Sequence, residues 1–331
     1  MKNLLLPPMS PRRLAFYLAM EEWAAAALPA GDYFFAWRVA PTVICGRNQD
    51  IEREVDLNYC RNNGIDVVRR KSGGGTVYAD MDNYMFSYIT PGDEVSVTFS
   101  RYTGMIASML CSLGIEAKAT GRNDIVIGAG KVAGNAFYHK PGRCIAHGTM
   151  LYDFDPTRMM RAITPSRAKL ESKAVTSAPM RVTCLRTAGL GLSLEDFGAY
   201  AIDYLCKEDP ILLSAADIEQ ISALEQEYYK PDYFAGRRFS AEVRKPDIVR
   251  SKRIEGVGEF EVAINLNRDN EISGLGIWGD FFVNGDISTD IIEPLTGIRY
   301  EAHALESAIC RINPESVISS LSRNNLLTLL I

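Results

Sequence analysis

A chain of 331 residues with 47% hydrophobic and 23% charged side chains has the make-up of a globular protein with a well-buried core. A net charge of −5 gives no support to wholesale nucleic-acid binding, which usually needs a basic face, so any anion site must be local. No apolar run reaches the length of a membrane span, and seven scattered cysteines without C-x-x-C spacing argue against a disulfide framework and fit a reducing cytoplasm.

The first stretch, "MKNLLLPPMSPRRL", has only a three-residue apolar run and no A-x-A-like site, so it does not read as a signal peptide. In "SPRRLAFYLAMEEWAAAAL" Ser10 is the expected N-cap and Pro11 the first helical residue. Leu14, Tyr17, Leu18, Ala25 and Leu28 recur at helical spacing, interrupted on that face by Glu21. Strand-like stretches follow in "YFFAWRVAPTVICG", "IDVVRR", "GTVYAD" and "NYMFSYIT". The spacing then predicts a helix over 99–113, stopped by Gly114. Further strands are expected in "IEAKATG", "DIVIG", "KVAGNAFY" and "HGTMLYDF", and two helices capped by Ser193 and Ser214 come after them. Strict βαβ alternation is missing, so the fold class is α+β with a mixed or antiparallel sheet.

From Phe239 the pattern resets. "GEFEVAINLN" and "EISGLGIWGDFF" read as paired strands around a turn at 268–270, and "PESVISSLSRNNLLTLL" as one closing helix with Asn313 as cap and Pro314 just inside. This is a second, small α+β domain, with the division placed at 1–246 and 247–331. The segment 237–253 carries seven basic residues against two acidic ones, the mark of a solvated linker or sheet edge; docking of an acidic partner is the less favoured alternative.

Three clusters carry chemistry. In "VVRRKSGGGTVYAD" three glycines, each costly in backbone entropy, follow Arg69, Arg70 and Lys71. The stretch satisfies neither the phosphate-loop nor the dinucleotide template. A plain hairpin turn and an anion cradle of bare N–H groups and guanidinium both stay open. In "GRNDIVIGAGKVAGNAFY" a polar turn of Gly121, Arg122, Asn123 and Asp124 feeds a short strand. A turn at 128–130 then presents Lys131, ahead of the small residues Ala133, Gly134, Asn135 and Ala136. A lysine there is either a surface charge or a bridge between carboxylate and phosphate. In "HKPGRCIAHGTMLYDFD" the spacing of His139, Cys144 and His147 matches no common zinc set. A Cys144–His147 nucleophile pair stays open, and no G-x-S-x-G elbow supports a serine hydrolase.

Taken together, "RRKSGGGTVYAD", "GRNDIVIGAGKVAGNA" and "HGTMLYDFD" resemble the lipoate–protein ligase family. "LAMEEW", "CGRNQD" and "LESKAVTSAPMRVTCL" are weaker matches in the same order, and "ISGLGIWGDFF" with "IEPLTG" is similar to the accessory domain of its two-domain bacterial members. The resemblance implies a biotin/lipoate ligase-like catalytic domain over 1–246 and an accessory domain over 247–331. It implies activation of (R)-lipoate with ATP and Mg²⁺ to lipoyl-AMP, followed by transfer to a lysine of an acceptor. The acceptors implied are apo lipoyl domains of 2-oxoacid dehydrogenase acyltransferase subunits or the glycine-cleavage H protein, in the cytoplasm, without nucleic acid or membrane.

Carried over by position, the resemblance assigns Lys131 as the catalytic contact to the lipoyl carbonyl and α-phosphate. ATP or adenylate contacts fall to Arg70, Gly75, Thr76, Val77, Tyr78, Asn123, Asp124, Gly134, Asn135, Ala136, Lys173 and Ser177. Lipoate contacts fall to Arg70, Ser72, Gly73, Gly74, Gly75, Lys131, His147 and Gly148, and the metal to Asp124. Ala79 departs from the family, many of whose members have histidine before the aspartate. The alternatives are an octanoyl or lipoyl transferase working through a cysteine thioester, for which Cys144 is the nearby candidate, a non-catalytic lipoate-binding protein, and a biotin ligase.

Overall fold

The computed structural model describes residues 1–8, 11–92, 94–120, 123–163, 182–236, 243 and 245–331. The chain divides into two compact units, the first made of Met1–Ile44, Val55–Arg70 and Val77–Tyr229. Its strands are β1 (Lys2–Leu5), β2 (Tyr33–Trp37), β3 (Thr42–Cys45), β4 (Asp66–Arg69), β5 (Val77–Ala79), β6 (Asn83–Pro91), β7 (Ala117–Ala119), β8 (Asp124–Ile127), β9 (Gly130–Lys140), β10 (Arg143–Leu151) and β11 (Glu208–Leu212). Eight of them form one sheet in the order β11-β1-β2-β6-β10-β9-β8-β7, and β4-β3-β5 form a small second one. β1 runs parallel to both β11 and β2, and the pairs from β2 to β7 are antiparallel, so the sheet is mixed as expected.

Of four longer helices, α1 (Leu14–Ala27), α2 (Val95–Ser112) and α3 (Leu194–Leu205) pack on this sheet, and α4 (Ala215–Glu225) packs on α1. α1 is built from alanine, leucine and other good helix formers and is buried on nearly every side, the pattern of a core helix. It starts at Leu14, with Arg13 extended as its N-cap, rather than at Pro11; Ser10 lies outside the described residues. α2 begins at Val95, four residues before the expected start, and Gly114 ends it in the left-handed region at φ 79°. Ser193 and Ser214 cap α3 and α4 as expected.

Side chains alternate across the sheet. Phe34, Phe86, Tyr88, Ala146 and Met150 join a core with Tyr102, Ile106 and Leu110 of α2 and Phe197 and Ala201 of α3. The intervening residues Trp37, Ser87 and His147 face α1, where Tyr17 stacks on Trp37 at 4.6 Å between ring centroids.

The second unit is made of Cys45–Glu54, Lys71–Thr76 and Lys230–Ile331. β12 (Ile248–Ile254), β13 (Gly258–Leu266) and β14 (Ile272–Gly279) form an antiparallel sheet, with Asn270 at φ 61° in the expected turn. Its core joins Phe260, Val262, Ile264 and Ile277 to Leu305 of α5 (Ala302–Ile309) and to Leu326 and Leu330 of α6 (Arg323–Leu330). The single closing helix expected from "PESVISSLSRNNLLTLL" is two, Pro314–Val317 and α6. Ser320 between them sits at φ 63°, and Ser322 caps α6 by accepting from the Asn325 N–H. The basic run ends in β12, an edge strand of this sheet; 237–242 and 244 lie outside the described residues. No helix among the described residues is long and apolar enough to cross a membrane.

Candidate active site

The Lys131 segment is set by a cross-strand clamp in the first unit, at the end of the β8–β9 pair away from its turn. The Asn135 N–H and side-chain amide both donate to the Asn123 carbonyl at 2.9 Å, and the Asn123 amide donates back to the Asn135 carbonyl at 3.3 Å. This pairing puts Asp124 opposite Gly134 at the start of β8. After a register shift, Lys131 enters β9, and its carbonyl accepts from the Thr183 N–H at 2.8 Å. The Lys131 ammonium lies 2.6 Å from Asp124 Oδ1, each side chain about one-third exposed at 33% and 32%. Its tip also lies over Gly134: a Cβ built there would stand 2.8 Å from both Lys131 Cε and Nζ.

Strand register carries this position across the sheet. Gly134 is opposite Thr149, Thr149 opposite Met85, and Met85 opposite Trp37; in the next row Ala136, His147 and Ser87 are opposite one another. By the alternation of strands, the Lys131 tip therefore shares a sheet face with Ala136, His147, Ser87 and Trp37. Beside it lies a buried polar cluster centred on Glu21 of α1, which is wholly inaccessible. His147 Nδ1 stands 2.9 Å from both Glu21 carboxylate oxygens, Ser87 Oγ donates to Glu21 Oε1 at 2.6 Å, and Trp37 Nε1 donates to Ser87 Oγ at 2.9 Å. Sequence reasoning marks Glu21 only as an interruption of an apolar helix face and passes over Ser87 and Trp37. An acid on an otherwise apolar stripe is the available signal, because buried charges require partners.

Arg70 is buried, and one of its guanidinium nitrogens donates to the Ile44 carbonyl at 3.1 Å. On β5, Val77 is opposite Ile44 and Tyr78 opposite Val43. Burial, with the Asp80 charge beside it, pushes the Tyr78 phenol up to about 12. Burial also holds the Asp80 carboxyl above the usual carboxylate range, though it accepts from the Asp82 N–H and the Asn83 amide. Ala79 is fully buried opposite Thr42. Gly148 turns to the opposite sheet face from His147, where a Cβ would lie 1.9 Å from Asn135 Oδ1. Lys173 and Ser177 lie outside the described residues.

Ser72, Gly73, Gly74, Gly75 and Thr76 belong to the second unit. The Arg47 N–H donates to the carbonyl of the buried Ser72, and Thr76 Oγ1 donates to Gln49 Oε1. Gly74 adopts φ 88°, and its N–H donates to the Phe281 carbonyl at 3.1 Å. A Cβ at Gly73 would stand 2.5 Å from that same carbonyl oxygen, so the backbone passing flush against this glycine is that of Phe281.

Cys144 and His147 are three positions apart on β10 and so project from opposite sheet faces. Cys144 is buried with Sγ 3.3 Å from the Gly92 carbonyl, and the two side chains form no nucleophile–base pair. Among the described residues no three His, Cys, Asp or Glu side chains gather into a metal-binding group.

The model for the lipoyl protein ligase A/B catalytic domain matches residues 13–206, and that for the bacterial lipoate protein ligase C-terminus matches 245–330. The chain is 32% identical over 322 residues to lipoate–protein ligase 1 of Staphylococcus aureus and 31% identical over 323 to lipoate-protein ligase LplJ of Bacillus subtilis, each comparison covering 95% of both proteins. Among solved structures, P. falciparum LipL1 in complex with lipoate aligns with a TM-score of 0.73 at 18% identity, covering 98% of this chain and 97% of that one. The bipartite ligase of Thermoplasma acidophilum, described with its E2 lipoyl domain, aligns at 0.64 with 24% identity, covering 75% of this chain and all of that one. A lipoate-protein ligase A bound with ATP aligns at 0.61 with 23% identity, covering 71% and 99%. These structures share the fold; with two family models spanning most of the sequence and relatives above 30% identity over nearly its full length, the chain belongs to the lipoate–protein ligase family.

Proposed function

We propose that this protein activates lipoate with ATP and transfers the lipoyl group to a lysine of an apo lipoyl domain. The lipoate carboxylate attacks the α-phosphorus of ATP, the bond to the β-phosphate oxygen breaks, and pyrophosphate leaves. The acceptor amine then attacks the lipoyl carbonyl carbon, loses a proton, and AMP leaves. Two anions must be brought together in the first step, so positioned cations should supply much of the catalysis. The observation that carries this assignment is the Lys131 ammonium, held beside Asp124 on the sheet face it shares with His147. Lys131 acts as an electrostatic clamp on carbonyl and α-phosphate, not as a nucleophile.

Arg70 and the residues from Gly75 to Tyr78 are assigned to the adenylate, together with Asn123, Gly134, Asn135, Ala136, Lys173 and Ser177. Ser72, Gly73, Gly74, His147 and Gly148 are assigned to lipoate. The catalytic portion is placed at 1–246, the accessory portion at 247–331, and the compartment is the cytoplasm. Magnesium would neutralise the triphosphate, and a metal bound with ATP needs only one or two protein carboxylates. Asp124 fits that need through Oδ2, because its Oδ1 is shielded from solvent and lies on Lys131.

The test is the mass of an apo lipoyl domain, and in a second arm an apo H protein, after incubation with lipoate and ATP. We expect an ATP-dependent lipoyl adduct, formed about 100- to 1,000-fold more slowly with Lys131→Ala and retained with Cys144→Ser. Modification that ignores ATP and vanishes with Cys144→Ser would establish the thioester transferase instead. Tight lipoate binding without pyrophosphate release would establish a binding protein.

A further inference from the structure

Gly134 has no conformational reason to be glycine. It lies inside β9, outside the left-handed region, where glycine costs a strand both entropy and packing. Among the described residues, a Cβ at this position would meet two atoms within 4 Å, Cε and Nζ of Lys131, each at 2.8 Å. Those atoms are the far end of a flexible side chain, so an added methyl group would displace the lysine tip and leave the fold untouched. The contrast with Gly148 is direct, since there the obstructing atoms include the Gly134 carbonyl oxygen at 3.1 Å as well as the Asn135 amide. On its other side the ammonium is held by Asp124, which the Asn123–Asn135 exchange fixes opposite Gly134.

We propose that Gly134 and Asp124 are positioning residues for Lys131, the missing side chain of one giving the ammonium its bed and the carboxylate of the other tethering it there. This rests on the assignment of Lys131 as the clamp in adenylate formation. Neither residue has to touch lipoate or nucleotide to act in this way. A direct contact to the adenylate and a bed for the lysine make different predictions, because only the second requires Lys131 for its effect.

The experiment is a double-mutant cycle on lipoate-dependent pyrophosphate–ATP exchange, backed by single-turnover adenylate formation in the full-length protein. Gly134→Ala should lower kcat roughly 10- to 100-fold, the scale of a misplaced catalytic group, with KM for lipoate and ATP little changed. Its melting temperature should be unchanged or higher. Asp124→Asn should lower kcat about two- to fivefold, the size of a part-exposed ion pair. In a Lys131→Ala background, with Mg²⁺ raised until it saturates each variant so that any loss of a metal contact is compensated, neither substitution should have a further effect beyond about twofold.

A Gly134→Ala enzyme with wild-type kcat, a loss carried by KM alone, or an equal loss in both backgrounds overturns the positioning role while leaving the clamp assignment standing. Wild-type exchange by Lys131→Ala itself brings down both. Should Gly134→Ala fail to fold, Asp124→Asn runs through the same cycle: an effect that disappears without Lys131 supports the positioning role, and one that persists overturns it.

Discussion

Gly134 and Gly148 stand on paired strands, one residue out of register, and look interchangeable in the sequence. Their surroundings separate them. At Gly148 a methyl group would collide with Asn135 Oδ1 at 1.9 Å and crowd backbone, so the strand pair itself must shift. Gly148→Ala should therefore cost about 1–3 kcal/mol by overpacking, measured by urea unfolding. A cost below about 0.5 kcal/mol, the level of an inert surface change, would show that Asn135 swings away freely. The Lys131 motif was legible because a lysine presented by a glycine turn and followed by a run of small residues leaves room for a ligand to approach the backbone. The reasons for the individual glycines were not, since each depends on where another side chain folds back. Arg70 shows the same limit: its position was marked by the motif, whereas its bond to the Ile44 carbonyl joins residues 26 apart.

α1 is tied to the sheet by a buried carboxylate. Glu21 reaches His147, 126 residues on, and Ser87, 66 residues on, and nothing local in "LAMEEW" announces either partner. Glu21→Ala would strip a buried pair of one member and should cost about 3–5 kcal/mol in urea unfolding; a loss under about 1 kcal/mol would mean that water repairs the site. A second tie joins the residue just before β2 to β6 and α2. Asp32 accepts from Thr90 Oγ1 at 2.5 Å and from Arg101 at 2.7 Å. Burial alone would raise this carboxyl, but Thr90 and Arg101 outweigh burial and hold it below the usual carboxylate range. Such a group adds stability that is complete above about pH 4, its ordinary value in an unfolded chain, and lost as pH falls through the lower folded value. Asp32→Asn should cost about 1 kcal/mol at pH 7, screened as a part-exposed pair is, and progressively less below about pH 4. A cost that stays constant from pH 7 down to about 3 would rule out the charge as its source. At this scale the sequence showed the central strands well, because they are buried on both faces and read as runs rich in aromatic and β-branched residues. It did not show β1 and β11, which are four and five residues long and pair in parallel across about two hundred residues. "EDPIL" carries two acids and a proline and has no strand signature.

The whole chain is less linear than its sequence. The second unit assembles Lys230–Ile331 with two short segments from far upstream, Cys45–Glu54 and Lys71–Thr76. Composition revealed a small α+β unit near the C-terminus, since its strands and turns are local. It gave no sign that the three-glycine stretch completes that unit, because such pairing leaves no periodic trace. Within the unit the Gly279 N–H donates to the Asn48 carbonyl at 2.8 Å, the Gly74 N–H donates to the Phe281 carbonyl, and Arg53 pairs with Glu261. A chain cut at the proposed boundary of 246 keeps the upstream segments and removes all of these partners. Local opening should then become frequent in both segments, since backbone groups without partners protect poorly. Limited trypsin digestion at Arg47, Arg53 and Lys71 should run about tenfold faster or more in the 1–246 chain than in the full-length protein. Equal rates at all three sites would mean that residues 1–246 order the glycine stretch by themselves, and that Phe281 adds nothing to its hold.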